Sequence, residues 1–144
     1  MLNIIIHILI IFFCIIAMEL IAIISHKYIM HGPGWFLHKS HHQKHKNIFE
    51  LNDIYFIFFS TPSIFSIIFG MLESNYILLS IGIGIMLYGL IYILLHDVVV
   101  HQRFGIKINI KKYSYLNKIK RSHLKHHSNK NKENSTNFGF ISYL

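Results

Sequence analysis

Histidine is the residue type that first suggests chemistry in this 144-residue chain, which holds twelve of them. Ten fall into four groups. His26 and His31 form an HxxxxH pair, His38, His41 and His42 an HxxHH triplet, His96 and His101 a second pair, and His123, His126 and His127 a second triplet. On a helix, positions i, i+3 and i+4 share a face, so each triplet can aim its imidazoles at one point or at two adjacent points. An i, i+5 pair on a straight α-helix diverges by about 140°. Such a pair reaches two different ions, unless a π-bulge or a helix end brings its members together. One ion takes about four to six ligands, so ten imidazoles suit a two-metal cage better than a single ion. Neutral imidazole binds iron, zinc, copper and nickel, so the histidines alone do not select the metal. A lone histidine of this kind is commonly a solvated loop residue; four groups at these spacings are not explained that way.

The remaining two histidines lie outside the pattern. His7 stands near the outer end of the first apolar run as an interfacial residue. His45 follows His42 by three and is open to two readings, a solvated residue or a support for the cluster. Four carboxylates could tune the site: Glu19, Glu50, Asp53 and Asp97. Glu19 lies inside an apolar stretch, where a carboxyl group is costly unless paired or facing a cavity. Metal-binding imidazoles usually donate their second N–H to a carboxylate or carbonyl. Glu19 and Asp97 are therefore expected to hold ligand histidines in orientation, against a helix-packing hydrogen bond for Glu19 and an interfacial charge for Asp97. The single cysteine, Cys14, leaves no disulfide framework or thiolate site within one chain.

The elements that must position these residues are membrane helices. Hydrophobic residues make up 53% of the chain and aromatics 15%, too apolar for a soluble protein of this length. Apolar runs at about 3–24, 54–72 and 76–95 are each long enough to cross a bilayer. The first lacks the basic start and cleavage site of a signal peptide and is expected to be a retained helix. Pro62 is expected to kink the second span, and Gly82, Gly84 and Gly89 to allow close packing of the third. A helix is expected around Tyr113–His127. The fold class is thus an all-α integral membrane protein, one domain over 1–144, with three spans and a cytoplasmic, histidine-rich helical cap.

The net charge of +8 admits nucleic acid or an acidic surface as partner, but its distribution argues for membrane topology. All fourteen Lys and Arg fall within Lys27–Lys46 or Arg103–Lys132. That is the pattern of cytoplasmic loops, which places segments 25–53 and 96–144 inside and all four histidine groups on the cytoplasmic face. A dedicated docking surface for an acidic redox partner is compatible with the same charge. No nucleic acid partner is expected.

The sequence around the histidines resembles the bacterial β-carotene 3-hydroxylases of the membrane fatty-acid hydroxylase and sterol-desaturase superfamily. The match runs from Met18-Glu19 through His26 to Gly32, Gly34-Trp35 and His38 to His42. It continues through Phe49-Glu50, Asn52-Asp53, Tyr55, Tyr88-Gly89 and Tyr92. It then takes in His96-Asp97, His101 to Arg103, His123 to His127 and Phe138-Gly139-Phe140. Members often carry Ala where Ser122 stands, and another run where Ser135-Thr136-Asn137 stands; the stretch between Arg103 and Tyr113 is unusually rich in Lys and Ile. No histidine is lost. The resemblance implies a di-iron centre ligated by the ten patterned histidines, with O₂ as co-substrate. It implies hydroxylation of C3 of the β-ionone rings of β-carotene, sequentially through β-cryptoxanthin to zeaxanthin. The carotenoid would come from the membrane lipid, the electrons from a ferredoxin with its reductase, and the location would be a bacterial inner membrane. Two alternatives stay open: another lipid oxygenase of the superfamily (a fatty-acyl or sterol hydroxylase or desaturase, or a carotenoid ketolase), and a non-enzymatic metal-binding membrane protein.

Overall fold

The computed structural model describes residues 2–43 and 49–143, and no strand occurs among them. His45 lies outside the described residues. Five α-helices follow one another: α1 Leu2–Ser25, α2 Trp35–His38, α3 Asp53–Leu72, α4 Tyr76–Tyr92 and α5 Ser114–Ser128. Two π-helical segments continue α1 and α4, His26–Met30 and Ile93–Val100. With them, three helices are long and apolar enough to cross a membrane: Leu2–Met30, Asp53–Leu72 and Tyr76–Val100. The first and third run about five residues further than the apolar runs suggest. A helix ends where its backbone hydrogen bonds end, not where its apolar residues do, and each HxxxxH pair is carried on that extension.

The two long faces of these helices meet lipid, which explains residues such as Leu9, Phe13, Phe58 and Leu72 standing more than half exposed. Between helices the lipid-like environment offers no hydrophobic gain, so close approach and hydrogen bonds decide the packing. α4 lies against both α1 and α3. A Cβ on Gly84 would sit 3.0 Å from the Ile11 carbonyl oxygen of α1, and one on Gly82 would sit 2.9 Å from the Ile67 backbone nitrogen of α3. Ser63 adds a 2.7 Å hydrogen bond to the Gly82 carbonyl. Gly89 does not share this role, because a Cβ there would meet only Phe56, at 3.9 Å. α3 continues as one helix through Pro62, while Ser60 and Thr61 turn their hydroxyls back onto the Ile57 carbonyl at 3.0 and 2.8 Å. His7 is more than interfacial: it pairs with Ser80 of α4 at 2.9 Å.

The antiparallel order brings the C-terminal ends of α1 and α4 and the start of α3 to one end of the bundle. There α5 and the tail that follows it close over them. α5 begins and ends one residue later than the spacing suggests. The small buried core (Met18, Ala22, Tyr88 and Phe140) joins α1, α4 and the tail directly beneath this end.

Candidate metal centre

The π-helical backbone settles how an HxxxxH pair can act together. In a π-turn the hydrogen bond runs from i+5 back to i, and His31 N–H donates to the His26 carbonyl at 3.0 Å, as His101 N–H does to that of His96. The extra residue per turn swings i and i+5 onto the same side, so each pair contributes both rings to one cluster. The triplets behave differently. His38 and His42, at i and i+4, stay together, while His41 points elsewhere. His123 and His127 stay together and His126 crosses over.

Two groups of five result: His26, His31, His38, His42 and His126 in one, and His41, His96, His101, His123 and His127 in the other. Within each group the facing ring nitrogens lie within 4.8 Å of one another. The two groups are exchanged by a pseudo-twofold pattern. Each takes one whole HxxxxH pair, the outer two residues of one triplet and the middle histidine of the other. They adjoin, with His42 and His127 stacked at 4.4 Å between centroids.

The outward Nδ1 atoms identify the tautomer. His26 Nδ1 faces the Phe138 carbonyl at 3.0 Å, His31 that of Lys132 at 3.0 Å, His42 that of Asn129 at 2.9 Å and His126 that of Thr136 at 2.9 Å. His38 faces Asn52 Oδ1 at 2.7 Å, His41 Glu50 Oε2 at 2.9 Å and His96 Asp97 Oδ1 at 2.8 Å. All seven partners are acceptors, so these rings donate from Nδ1 and turn a bare Nε2 lone pair inward. Facing Nε2 atoms then approach to between 2.8 and 3.2 Å: His38 with both His26 and His42, His31 with His126, His41 with His96, and His123 with both His101 and His127. Lone pairs set against one another so closely repel, and a cation between them converts the repulsion into ligation. An ion holding nitrogens at about 2.1 Å and right angles would space neighbours by about 3 Å, which these distances match. The donor set therefore fits one first-row ion in each group. Five nitrogens exceed the four of a closed structural zinc site and leave room for one exogenous ligand at an octahedral ion.

Burial keeps the rings neutral, as ligation requires. Burial pushes His38 and His126 down to about 3 and His42 to about 4, each partly offset by its Nδ1 hydrogen bond. Burial and the neighbouring imidazoles hold His41, His123 and His127 well below the ordinary range as well. Above pH about 6.5 an unfolded chain and the native one both carry neutral rings. Below it the unfolded chain takes up protons that these buried rings refuse, so stability falls as pH falls toward 4. Metal release and thermal melting followed from pH 7.5 to 4.5 are expected to show a steep loss beginning near 6.5, with no comparable loss toward pH 9.

Of the four carboxylates singled out from sequence, Glu50 and Asp97 touch histidines. Asp53 is engaged by Arg103, and Glu19 by the tail and Tyr88. Asp53 forms a two-bond pair with Arg103 (both 2.9 Å) and accepts the Glu50 N–H at 3.0 Å, bracing the residue that holds His41. Arg103 also lies 3.4 Å from Asp97, so one cation ties the supports of His41 and His96 together. Glu19 corrects the expectation more sharply. Its Oε1 accepts the backbone N–H groups of Phe140, Ile141 and Ser142 at 3.0, 3.0 and 2.8 Å and the Ser142 hydroxyl at 2.8 Å. Its Oε2 accepts the Tyr88 hydroxyl at 2.9 Å. It orients no imidazole directly; it clamps the tail whose Phe138 carbonyl holds His26.

Sequence reasoning missed Asn52, Arg103 and the carbonyls of Asn129, Lys132, Thr136 and Phe138. Asn52 could have been found, since an amide between Glu50 and Asp53 carries a side-chain acceptor in the same segment as two carboxylates. The carbonyls carry no side-chain signal at all. Replacing Asn52 by Leu is expected to weaken metal retention by about 10- to 100-fold, the usual cost of losing an outer partner of a ligand histidine, with little change in helix content. Dialysis against a graded chelator series with metal analysis would read this out.

The profile of the fatty acid hydroxylase family matches residues 11–144. Among curated proteins, the chain is 43% identical to "Beta-carotene hydroxylase" of Pantoea ananas, over 92% of this chain and 75% of that one. It is 38% identical to a protein of the same name from Paracoccus sp. (strain N81106 / MBIC 01143), over 88% and 78%. It is 33% identical to "Beta-carotene 3-hydroxylase 2, chloroplastic" of Arabidopsis thaliana, over 80% and 39%. No solved structure matches. With two convergent imidazole groups built on segments that the family profile covers from α1 to the tail, this chain belongs to the fatty acid hydroxylase family.

Proposed function

We propose that this chain is a di-iron monooxygenase that hydroxylates C3 of the β-ionone rings of β-carotene, giving β-cryptoxanthin and then zeaxanthin. The observation that carries the reading is the 43% identity, over 92% of the chain, to a protein named beta-carotene hydroxylase. The two five-histidine groups support iron as the cofactor, one ion in each. The ten histidines would hold the ions, which would supply the O₂-reducing chemistry of a monooxygenase: with two external electrons and two protons, one oxygen atom would enter a C–H bond and the other would leave as water.

The chain's own residues supply the surroundings. Glu50, Asp97, Asn52 and four backbone carbonyls fix the ligand rings in one tautomer and orientation. Tyr92 stacks on His96 at 4.5 Å and Phe140 on His26 at 4.9 Å, covering the membrane side of both groups with aromatic surface that keeps water out. The C–H bond is approached from the bilayer, where the substrate dissolves. We place the histidine end on the cytoplasmic face of a bacterial inner membrane, and residues 1–144 in one domain, because every Lys and Arg lies in the segments at that end. Electrons then come from a ferredoxin with its reductase, and a basic surface suits an acidic carrier.

Expression in a host that accumulates β-carotene tests the reading. β-Cryptoxanthin followed by zeaxanthin is the expected pigment sequence. An unchanged pigment profile in cells that contain the folded, iron-loaded protein overturns it.

A further inference from the structure

We infer that an apolar groove among α1, α3 and α4 holds the substrate as a rod parallel to the helices, and that Gly89 sets the bore of that groove. The inference rests on the carotenoid reading and specifies where and how the substrate lies.

A cavity of about 520 Å³ runs along α3 and α4, closed at its back by Met18 and Ala22 of α1. It extends from Asn52 to Ile67 along α3, fifteen residues or about 22 Å of helix at 1.5 Å per residue. That is most of a hydrocarbon core about 30 Å thick. Its walls are mostly apolar along this length, with Phe56, Phe59, Ile67 and Ile85 among them; Ser60 and Ser63 interrupt them with hydroxyls already bonded to the Ile57 and Gly82 carbonyls, and the charged lining, Asp53, Asp97 and Arg103, is confined to the histidine end. Its rim (Ile57, Ile64, Met86 and Leu90) is 43 to 64% exposed on the lipid side, so entry is lateral, from the bilayer. Its inner end stops at Tyr92 and Phe140, the two rings that lie on His96 and His26. A long, predominantly apolar slot that opens to lipid and ends beside the metal ligands fits a rod-like hydrocarbon with its reacting end at the histidines.

Gly89 lines this slot. Glycine within a helix is unfavourable relative to alanine, because it loses more conformational freedom on folding. Gly82 and Gly84 offset that by letting helices touch. Gly89 does not: a Cβ there would meet only Phe56 Cε2, at an ordinary 3.9 Å, so protein packing leaves its side-chain space unused. The space belongs to whatever occupies the groove. Gly89 lies seven residues before His96, about 10 Å along the axis, so it flanks the chain of the substrate and not the reacting ring. A rod lying this way presents one ring per binding event, and the second ring reaches the histidines only after release and reversed re-entry.

The test uses the full-length protein in detergent with β-carotene as the probe. It measures bound carotenoid by absorbance, β-carotene turnover, iron content and thermal midpoint for wild type, Gly89→Ala, Gly89→Leu and Gly89→Leu with Phe56→Ala. Gly89→Leu is expected to lower bound carotenoid and raise KM by at least about tenfold with iron retained, Gly89→Ala to do so by much less, and removal of the Phe56 ring to restore binding. Wild-type binding and KM in Gly89→Leu overturn the inference. Should Gly89→Leu lose iron or fail to fold, Ile64→Trp on the exposed rim decides: lost carotenoid with iron kept supports the groove, and unchanged binding overturns it. A wild-type protein that binds β-carotene without converting it refutes the hydroxylase reading and leaves the groove standing. One that converts it while every plugged variant does too refutes the groove alone.

Discussion

His41→Ala is expected to abolish hydroxylation, lowering turnover by more than about a hundredfold, and to release the iron of the group that contains His96, not that of its sequence neighbours. His41 lies between His38 and His42 in sequence, yet its ring faces His96 with Nε2 atoms 3.0 Å apart. Its absence leaves four rings in that group and all five in the other. His126→Ala is expected to show the mirror image. It stands in the second triplet but faces His31 at 3.1 Å, so its loss empties the group built on α1. With one ion proposed in each group, the metal content should fall from about two ions per chain to about one in both variants. The surviving ion should differ between them in its spectrum and in its response to His38→Ala. If the triplets acted as blocks, His41→Ala and His38→Ala would give the same surviving site. Identical spectra from those two variants would therefore exclude the crossed assignment, whatever the loss of activity.

Glu19→Ala is expected to cost a large share of the activity, although Glu19 bonds to no histidine. One carboxylate receives three consecutive backbone N–H groups and two hydroxyls. Removing it leaves part-buried donors without their acceptor, a loss on the order of 1–3 kcal/mol. The tail would then leave the bundle, taking with it the Phe138 carbonyl that holds His26 and the Phe140 ring that covers it. Turnover should drop at least about tenfold, with iron lost first from the His26 group, since that group loses its outer partner. Glu19→Gln keeps an accepting oxygen and is expected to fall between wild type and alanine. Truncation after Asn137 should mimic Glu19→Ala, and combining the two should add little, because both break one interaction. Full additivity of the two losses would show that the clamp and the tail act separately.

The sequence by itself determined the class of this protein and the identity of the rings. Apolar runs near 3–24, 54–72 and 76–95 specify spans because backbone polar groups in lipid must be satisfied within a helix. The histidine spacings specify a cluster for two ions because ten imidazoles exceed what one can accept. The confinement of every Lys and Arg to two segments made one end of the bundle distinct, and it is the end where the histidines meet.

What only the tertiary structure decided is how the rings are shared and what supports them. Spacing on an ideal α-helix left the HxxxxH pairs splayed. The π-helical turns at His26–Met30 and Ile93–Val100 gather them, and a one-residue change in hydrogen-bond register leaves no trace in side-chain pattern. The crossing of His41 and His126 depends on where α2 and α5 sit, which is a matter of packing between segments 80 residues apart. Glu19 was legible as a residue needing a partner, but its partners are backbone N–H groups more than 120 positions away, and every residue except proline offers that same donor. Side-chain chemistry is written in the sequence, residue by residue; backbone acceptors, donors and empty space, such as that beside Gly89, exist only once the chain is folded.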